Sequence, residues 1–106
     1  MELKITSLQS RDVVALEGDV DLSNSKQVKQ SIIALIKQGS DVVVDISALN
    51  YIDSSGMASL VEALNESKQA GSEFHIAGAQ GAPLQVFKLT RLDTVFSMVD
   101  SVDALS

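Results

Sequence analysis

A chain of 106 residues with 8 Lys+Arg against 14 Asp+Glu has a formal net charge of −6 and only 4% aromatics. That balance excludes a surface built for phosphate backbones or base stacking, so no nucleic-acid partner is expected. Cysteine is absent and His75 is the only histidine, which removes disulfides, thiolate nucleophiles and Cys or His metal clusters; no cofactor or metal is expected.

At 45% hydrophobic and 21% charged, the chain can build a core, and one domain is expected over residues 1–106. Its first residues, Met1-Glu2-Leu3-Lys4-Ile5, carry charge inside a short apolar run and do not resemble a signal peptide. No stretch approaches the roughly 20 apolar residues of a membrane span. The expectation is a soluble cytoplasmic protein with no membrane attachment.

Leu3, Ile5 and Leu8 open a weak strand pattern, and Val13-Val14-Ala15-Leu16 reads as a second strand. The polar Gln9-Ser10-Arg11-Asp12 between them predicts a hairpin. Gly18 is expected to end the second strand. Asp21, Ser23 and Asn24 then crowd a helix start, where their side-chain oxygens can accept first-turn N–H bonds. Val28, Ile32, Leu35 and Ile36 follow at helical spacing, with Gly39 as a stop and Ile33 widening the apolar stripe. The β-branched run Val42-Val43-Val44-Asp45-Ile46 suits a strand covered on both faces.

A second helix is predicted through Met57, Leu60, Val61 and Leu64, closed by Gly71; Phe74-His75-Ile76-Ala77 is the next strand. Pro83 suits a first helical turn ahead of Leu84 and Phe87. Val95–Val99 reads as a last edge strand, and Asp100-Ser101 as the cap of a short terminal helix. The order β-β-α-β-α-β-α implies an α/β fold with a mixed, mostly parallel sheet of four to five strands, its first strand antiparallel, and flanking helices.

One segment carries chemistry. Leu49-Asn50-Tyr51-Ile52-Asp53-Ser54-Ser55-Gly56 joins the most buried strand to the second helix, at the sheet end where ligand sites of open α/β folds gather. Two hydroxyls and a carboxylate there can be a capping cluster. They can equally be a phosphate site, since a helix N-terminus offers unpaired N–H donors and a positive dipole end.

These residues resemble the STAS family (sulphate transporter and anti-sigma factor antagonist domains), in particular its small bacterial anti-sigma factor antagonists. Gly18-Asp19-Val20-Asp21 is similar to the family's Gly-acid-aliphatic-Asp turn, and Val44-Asp45-Ile46-Ser47-Ala48-Leu49 with Tyr51-Ile52-Asp53-Ser54-Ser55-Gly56 to its signature loop. Gly71-Ser72-Glu73-Phe74 resembles the lead-in to the fourth strand, and Leu84 to Phe96 the closing helix, so the likeness spans nearly the whole chain. Arg91-Leu92 departs from the Gly-Leu pair that many members carry there.

The resemblance implies a partner switch. The unphosphorylated form binds an anti-sigma factor, a serine kinase of the HATPase type, and releases its client; phosphorylation blocks binding, and a PP2C-type serine phosphatase reverses it. The implied acceptor is Ser54, supported by Asp53, Ser55 and Gly56; by spacing alone Ser55 remains a second candidate. Asp21, Ser23, Asn24 and Met57 are the candidate partner contacts, with helix capping and core packing as their other uses. Asp21 is expected beside Ser54 in space. A monomer or weak dimer is compatible with this role.

Two contrasting classes stand beside it. Catalysis by Ser54 or Ser55 needs a base and a group to orient it; His75 is the only imidazole, and the Gly-x-Ser-x-Gly elbow is missing, so an enzyme is not expected. A non-phosphorylated structural subunit, of a lipid-transport ATPase or a stress-sensing scaffold, is the other alternative. His75 is assigned a structural role, and Lys88 and Arg91 a solvated one.

Overall fold

The structure, a computed structural model, describes residues 1–105. Five strands form one sheet in the order β1-β2-β3-β4-β5: Glu2–Leu8, Arg11–Val20, Asp41–Ile52, Phe74–Ala77 and Ser97–Val99. β1 runs antiparallel to β2, and every later neighbour is parallel. Helices α1 (Ser25–Lys37), α2 (Ser54–Ala70) and α3 (Gly81–Leu89) make the crossovers. The mixed, mostly parallel α/β architecture follows the chain-order expectation.

The β1–β2 hairpin is tighter than its polar stretch suggests. Leu8 already pairs with Arg11, so only Gln9 and Ser10 turn the chain. Both take left-handed backbone, at φ 52° and 70°, as a two-residue hairpin of matching twist demands.

Two strands outrun their predicted ends. β2 does not stop at Gly18: the glycine sits at φ 87° between two register shifts, and this bulge lets pairing with β3 continue to Val20↔Ile52. β3 likewise extends past Ile46 to Ile52. Ser47-Ala48-Leu49-Asn50 has little intrinsic strand preference, but the prolonged β2 edge supplies its pairing, which outweighs propensity. Conversely, the expected Val95–Val99 strand is reduced to Ser97–Val99; Leu92–Thr94 forms a 3-10 turn, and Phe96 is buried. The terminal helix is also a 3-10 turn, Val102–Leu105.

Alternation along the strands divides the core. Val14, Leu16, Val42, Val44 and Ile76 face the helices, meeting Val28, Ile32 and Ile36 of α1, Leu60 and Leu64 of α2, and Phe87 of α3. Phe87 packs edge-on against Phe96 at 5.6 Å, and Phe96 lies 6.1 Å from Phe74; this trio ties α3 and the approach to β5 onto β4. On the opposite face Val13, Val43 and Ala77 form a small cluster, with Val99 of the neighbouring β5 and Val102 and Leu105 of the terminal turn packed against it. The Val42-Val43-Val44 run is thus buried on both faces, although the helices occupy only one.

Candidate functional site

The C-terminal ends of β2 and β3 lie side by side, and this brings the two polar loops together. Asp53 N–H donates to the Val20 carbonyl at 3.1 Å, which continues the Val20↔Ile52 register into the turn. Asp53 is the N-cap of α2. Its carboxylate accepts the Gly56 N–H at 3.0 Å and the Ser55 hydroxyl at 2.6 Å. These bonds, led by the Ser55 hydroxyl and then the Gly56 N–H, hold the carboxyl below its ordinary range, with smaller help from the Ser55 and Leu22 N–H groups.

Gly56 sets how close the helix sits. A Cβ there would lie 2.6 Å from Ile52 Cγ1 and 2.8 Å from Val20 Cγ1, so only glycine lets the first turn of α2 rest on the ends of both strands. Ser55 is half-buried and committed to Asp53, and its carbonyl accepts the Ser59 hydroxyl at 3.0 Å. Ser54 is exposed, and its hydroxyl has no hydrogen-bond partner among the described residues. The two serines that spacing could not separate therefore occupy different environments.

The β2–α1 loop is self-contained. Asp21 Oδ1 accepts the Ser23 N–H at 2.9 Å and the Ser23 hydroxyl at 2.5 Å. Asn24 Oδ1 accepts the Asp21 N–H, and its Nδ2 donates to the Asp19 carbonyl, both at 3.0 Å. Asn24 is the N-cap residue of α1 yet makes no side-chain cap bond. The expected side-chain cap is replaced by the Asp21 backbone carbonyl, which accepts the Asn24 and Ser25 N–H groups, so the polar side chains brace the loop and not the helix. Leu22, between them, is 81% exposed. Its one signal in the sequence is a leucine set among turn residues and outside any apolar period.

Met57 packs in the main core and is almost fully buried. It reaches the surface only as part of an open groove of about 480 Å³ between α2 and α3. Ser54 lines this groove together with Ala58, Val61, Val86 and Leu92, so its walls are mostly apolar. Glu62 on its margin is paired with Lys29 of α1 at 3.0 Å. No sequence period announces the groove, because its walls come from helices that are distant along the chain.

The single imidazole belongs elsewhere. His75 Nδ1 lies 2.8 Å from Ser97 Oγ and its Nε2 lies 2.9 Å from Glu73 Oε1, so it gives Ser54 no general base. Lys88 and Arg91 are exposed, as expected. Arg91 takes left-handed backbone at φ 60°, the conformation a glycine would adopt without a Cβ clash. Among the described residues, no helix is long and apolar enough to cross a membrane.

The STAS domain matches residues 4–105 of the chain. The chain belongs to the STAS domain family. Its similarity to individual STAS proteins is distant but extends over most of its length. An anti-sigma-B factor antagonist of Listeria monocytogenes is 23% identical over 86 residues, 80% of this chain and 75% of that protein. The crystal structure of an anti-sigma factor antagonist from Mycobacterium paratuberculosis superposes with a TM-score of 0.88 at 21% identity, covering 97% of this chain and 88% of the other. The Bacillus cell fate determinant SpoIIAA, in its phosphorylated form, has a TM-score of 0.76 at 18% identity, covering 98% and 96%. At these identities the solved structures establish a shared STAS fold.

Proposed function

We propose that this STAS domain is an anti-sigma factor antagonist that acts as a phosphorylation-controlled binding module and not as an enzyme. The unphosphorylated form binds an anti-sigma factor that doubles as a serine kinase of the HATPase type, so that the client is released. Phosphorylation at Ser54 blocks that binding, and a PP2C-type phosphatase restores it in the cytoplasm. The observation that carries this reading is the division of labour in the loop: Ser55 is tied to Asp53, while Ser54 is exposed with its hydroxyl unengaged.

Electrostatics supplies the switch. A phosphate adds about −1.5 to −2 charges at pH 7. The helix N-terminus favours an anion, but Asp53 already takes the Gly56 N–H, which leaves fewer first-turn donors for a phosphate on Ser54. Asp53 and the adjoining Asp21 loop add like charge around it. The partner footprint in this reading is Ser54, the Asp21-Leu22-Ser23-Asn24 loop and the apolar groove floored by Met57. Covering a dianion there without a counter-charge costs about 3–4 kcal/mol, several hundred-fold in affinity.

The test is affinity for the kinase partner, captured on the Ser54→Ala protein and then purified. Wild type and Ser54→Ala are expected to bind alike, whereas Ser54→Asp loses binding with an unchanged far-UV circular dichroism spectrum. Near-wild-type affinity of a folded Ser54→Asp protein would overturn the reading.

A further inference from the structure

β1 is an edge of the sheet, with β2 as its only strand neighbour among the described residues. Leu8↔Arg11 closes a two-residue turn, so it is a hydrogen-bonded pair, and such pairs recur at every second residue. Thr6, Lys4 and Glu2 therefore spend their main-chain groups on β2. Leu3, Ile5 and Ser7 aim theirs away from the sheet. The other edge, β5, has only three residues.

Little of this strand is buried. Leu3 alone is half-buried, against the helix-side core, while Met1 and Ile5 beside it are 39% and 46% exposed. Alternation puts Glu2 and Lys4 on the other face. There Glu2 stands opposite Glu17 of β2. Among the described residues, neither these two carboxylates nor Lys4 has an ion-pair partner. An unpaired edge of this length is a template for another strand, and a lone lysine on it ordinarily discourages pairing. One register, however, turns that lysine into the missing counter-charge.

We propose that two copies of this chain pair through β1, antiparallel about a two-fold axis at Leu3. Leu3 then meets its own copy as a hydrogen-bonded pair, which its outward main-chain groups allow, and Met1 meets Ile5. Glu2 meets Lys4 twice, in the closer non-hydrogen-bonded positions. The only other two-fold that keeps the ladder within β1 is centred on Ile5. It sets Glu2 against Leu8 and Leu3 against Ser7, and so matches neither charge nor apolar surface. Five paired residues bury less than the roughly 1,200–2,000 Å² of a stable interface, so the dimer is weak and concentration-dependent.

Sedimentation equilibrium of the full chain, up to millimolar concentration, tests this. Wild type should associate reversibly to a dimer. Glu2→Lys and Lys4→Glu should each weaken association about tenfold or more, and the two changes together should restore it. Oxidative cross-linking reads the register, because the chain has no cysteine of its own. Leu3→Cys should give a disulfide-linked dimer, since hydrogen-bonded partners have Cα atoms about 5.5 Å apart. Ile5→Cys should not, since an offset of four residues holds its copies about 14 Å apart. A wild type that stays monomeric, a dimer indifferent to Lys4→Glu, a double variant that fails to recover, or cross-linking through Ile5→Cys in preference to Leu3→Cys would each overturn the proposal.

Discussion

The carboxylate of Asp53 accepts the hydroxyl of Ser55 at 2.6 Å, and this one bond distinguishes two adjacent serines. Ser55 becomes part of the helix cap, while Ser54 faces solvent beside an apolar groove. Removing the acceptor should undo both effects. Asp53→Ala is expected to lower the thermal midpoint through loss of the cap. It should also let a serine kinase modify Ser55, read by site-resolved phosphopeptide mapping. Modification confined to Ser54 in that variant would show that Asp53 does not restrain Ser55.

Gly56 is a packing requirement. Alanine normally improves a helix by about 1 kcal/mol over glycine. Here its Cβ would stand 2.6 Å from Ile52 Cγ1, and overpacking of this kind costs about 1–3 kcal/mol. Gly56→Ala should therefore be net destabilising by urea denaturation. A stabilised Gly56→Ala protein would mean that α2 can lift off the strand ends freely.

The hairpin turn offers the opposite sign. Ser10 sits at φ 70° with a Cβ in left-handed backbone. Ser10→Gly should stabilise the protein by about 0.5–1 kcal/mol, the relief outweighing the greater freedom of glycine when unfolded. The urea midpoint reads this directly; a drop in the midpoint would contradict it.

Acid should weaken the fold through two carboxyls. Asp53 is held below its ordinary range chiefly by the Ser55 hydroxyl, and Glu73 chiefly by His75 and then Arg11. Between the folded and unfolded pKa values the unfolded chain binds more protons, so stability rises with pH there. The contribution is complete above the ordinary carboxyl range and is lost as pH falls through the lowered values. Urea midpoints should decline below about pH 4.5, with a shallower decline in Asp53→Asn and Glu73→Gln. An unchanged slope in both variants would remove these groups as the cause.

Much of this was legible because it is local. The β-branched run at Val42, the periodic stripe of α1 and the Asp53-Ser54-Ser55-Gly56 turn each announce themselves within a few residues. Local preference misled at Gly18 and at Ser47–Asn50, where pairing between β2 and β3 carries both strands onward. Asn24 misled in the same way: it has the chemistry of a cap, but its side chain is spent on Asp21 and Asp19. The groove could not be read at all, since it exists only where Val61 of α2 meets Val86 of α3 and Leu92. Arg91 shows the converse, as a residue that fills a left-handed position usually given to glycine.

The most direct measurement is the intact mass of the protein from its native host, as wild type, Ser54→Ala and Ser55→Ala. A fraction heavier by one phosphate is expected in wild type and in Ser55→Ala, and none in Ser54→Ala. A phosphate that persists in Ser54→Ala, or its absence from wild type under every growth condition, would contradict the assignment of Ser54 as the switch.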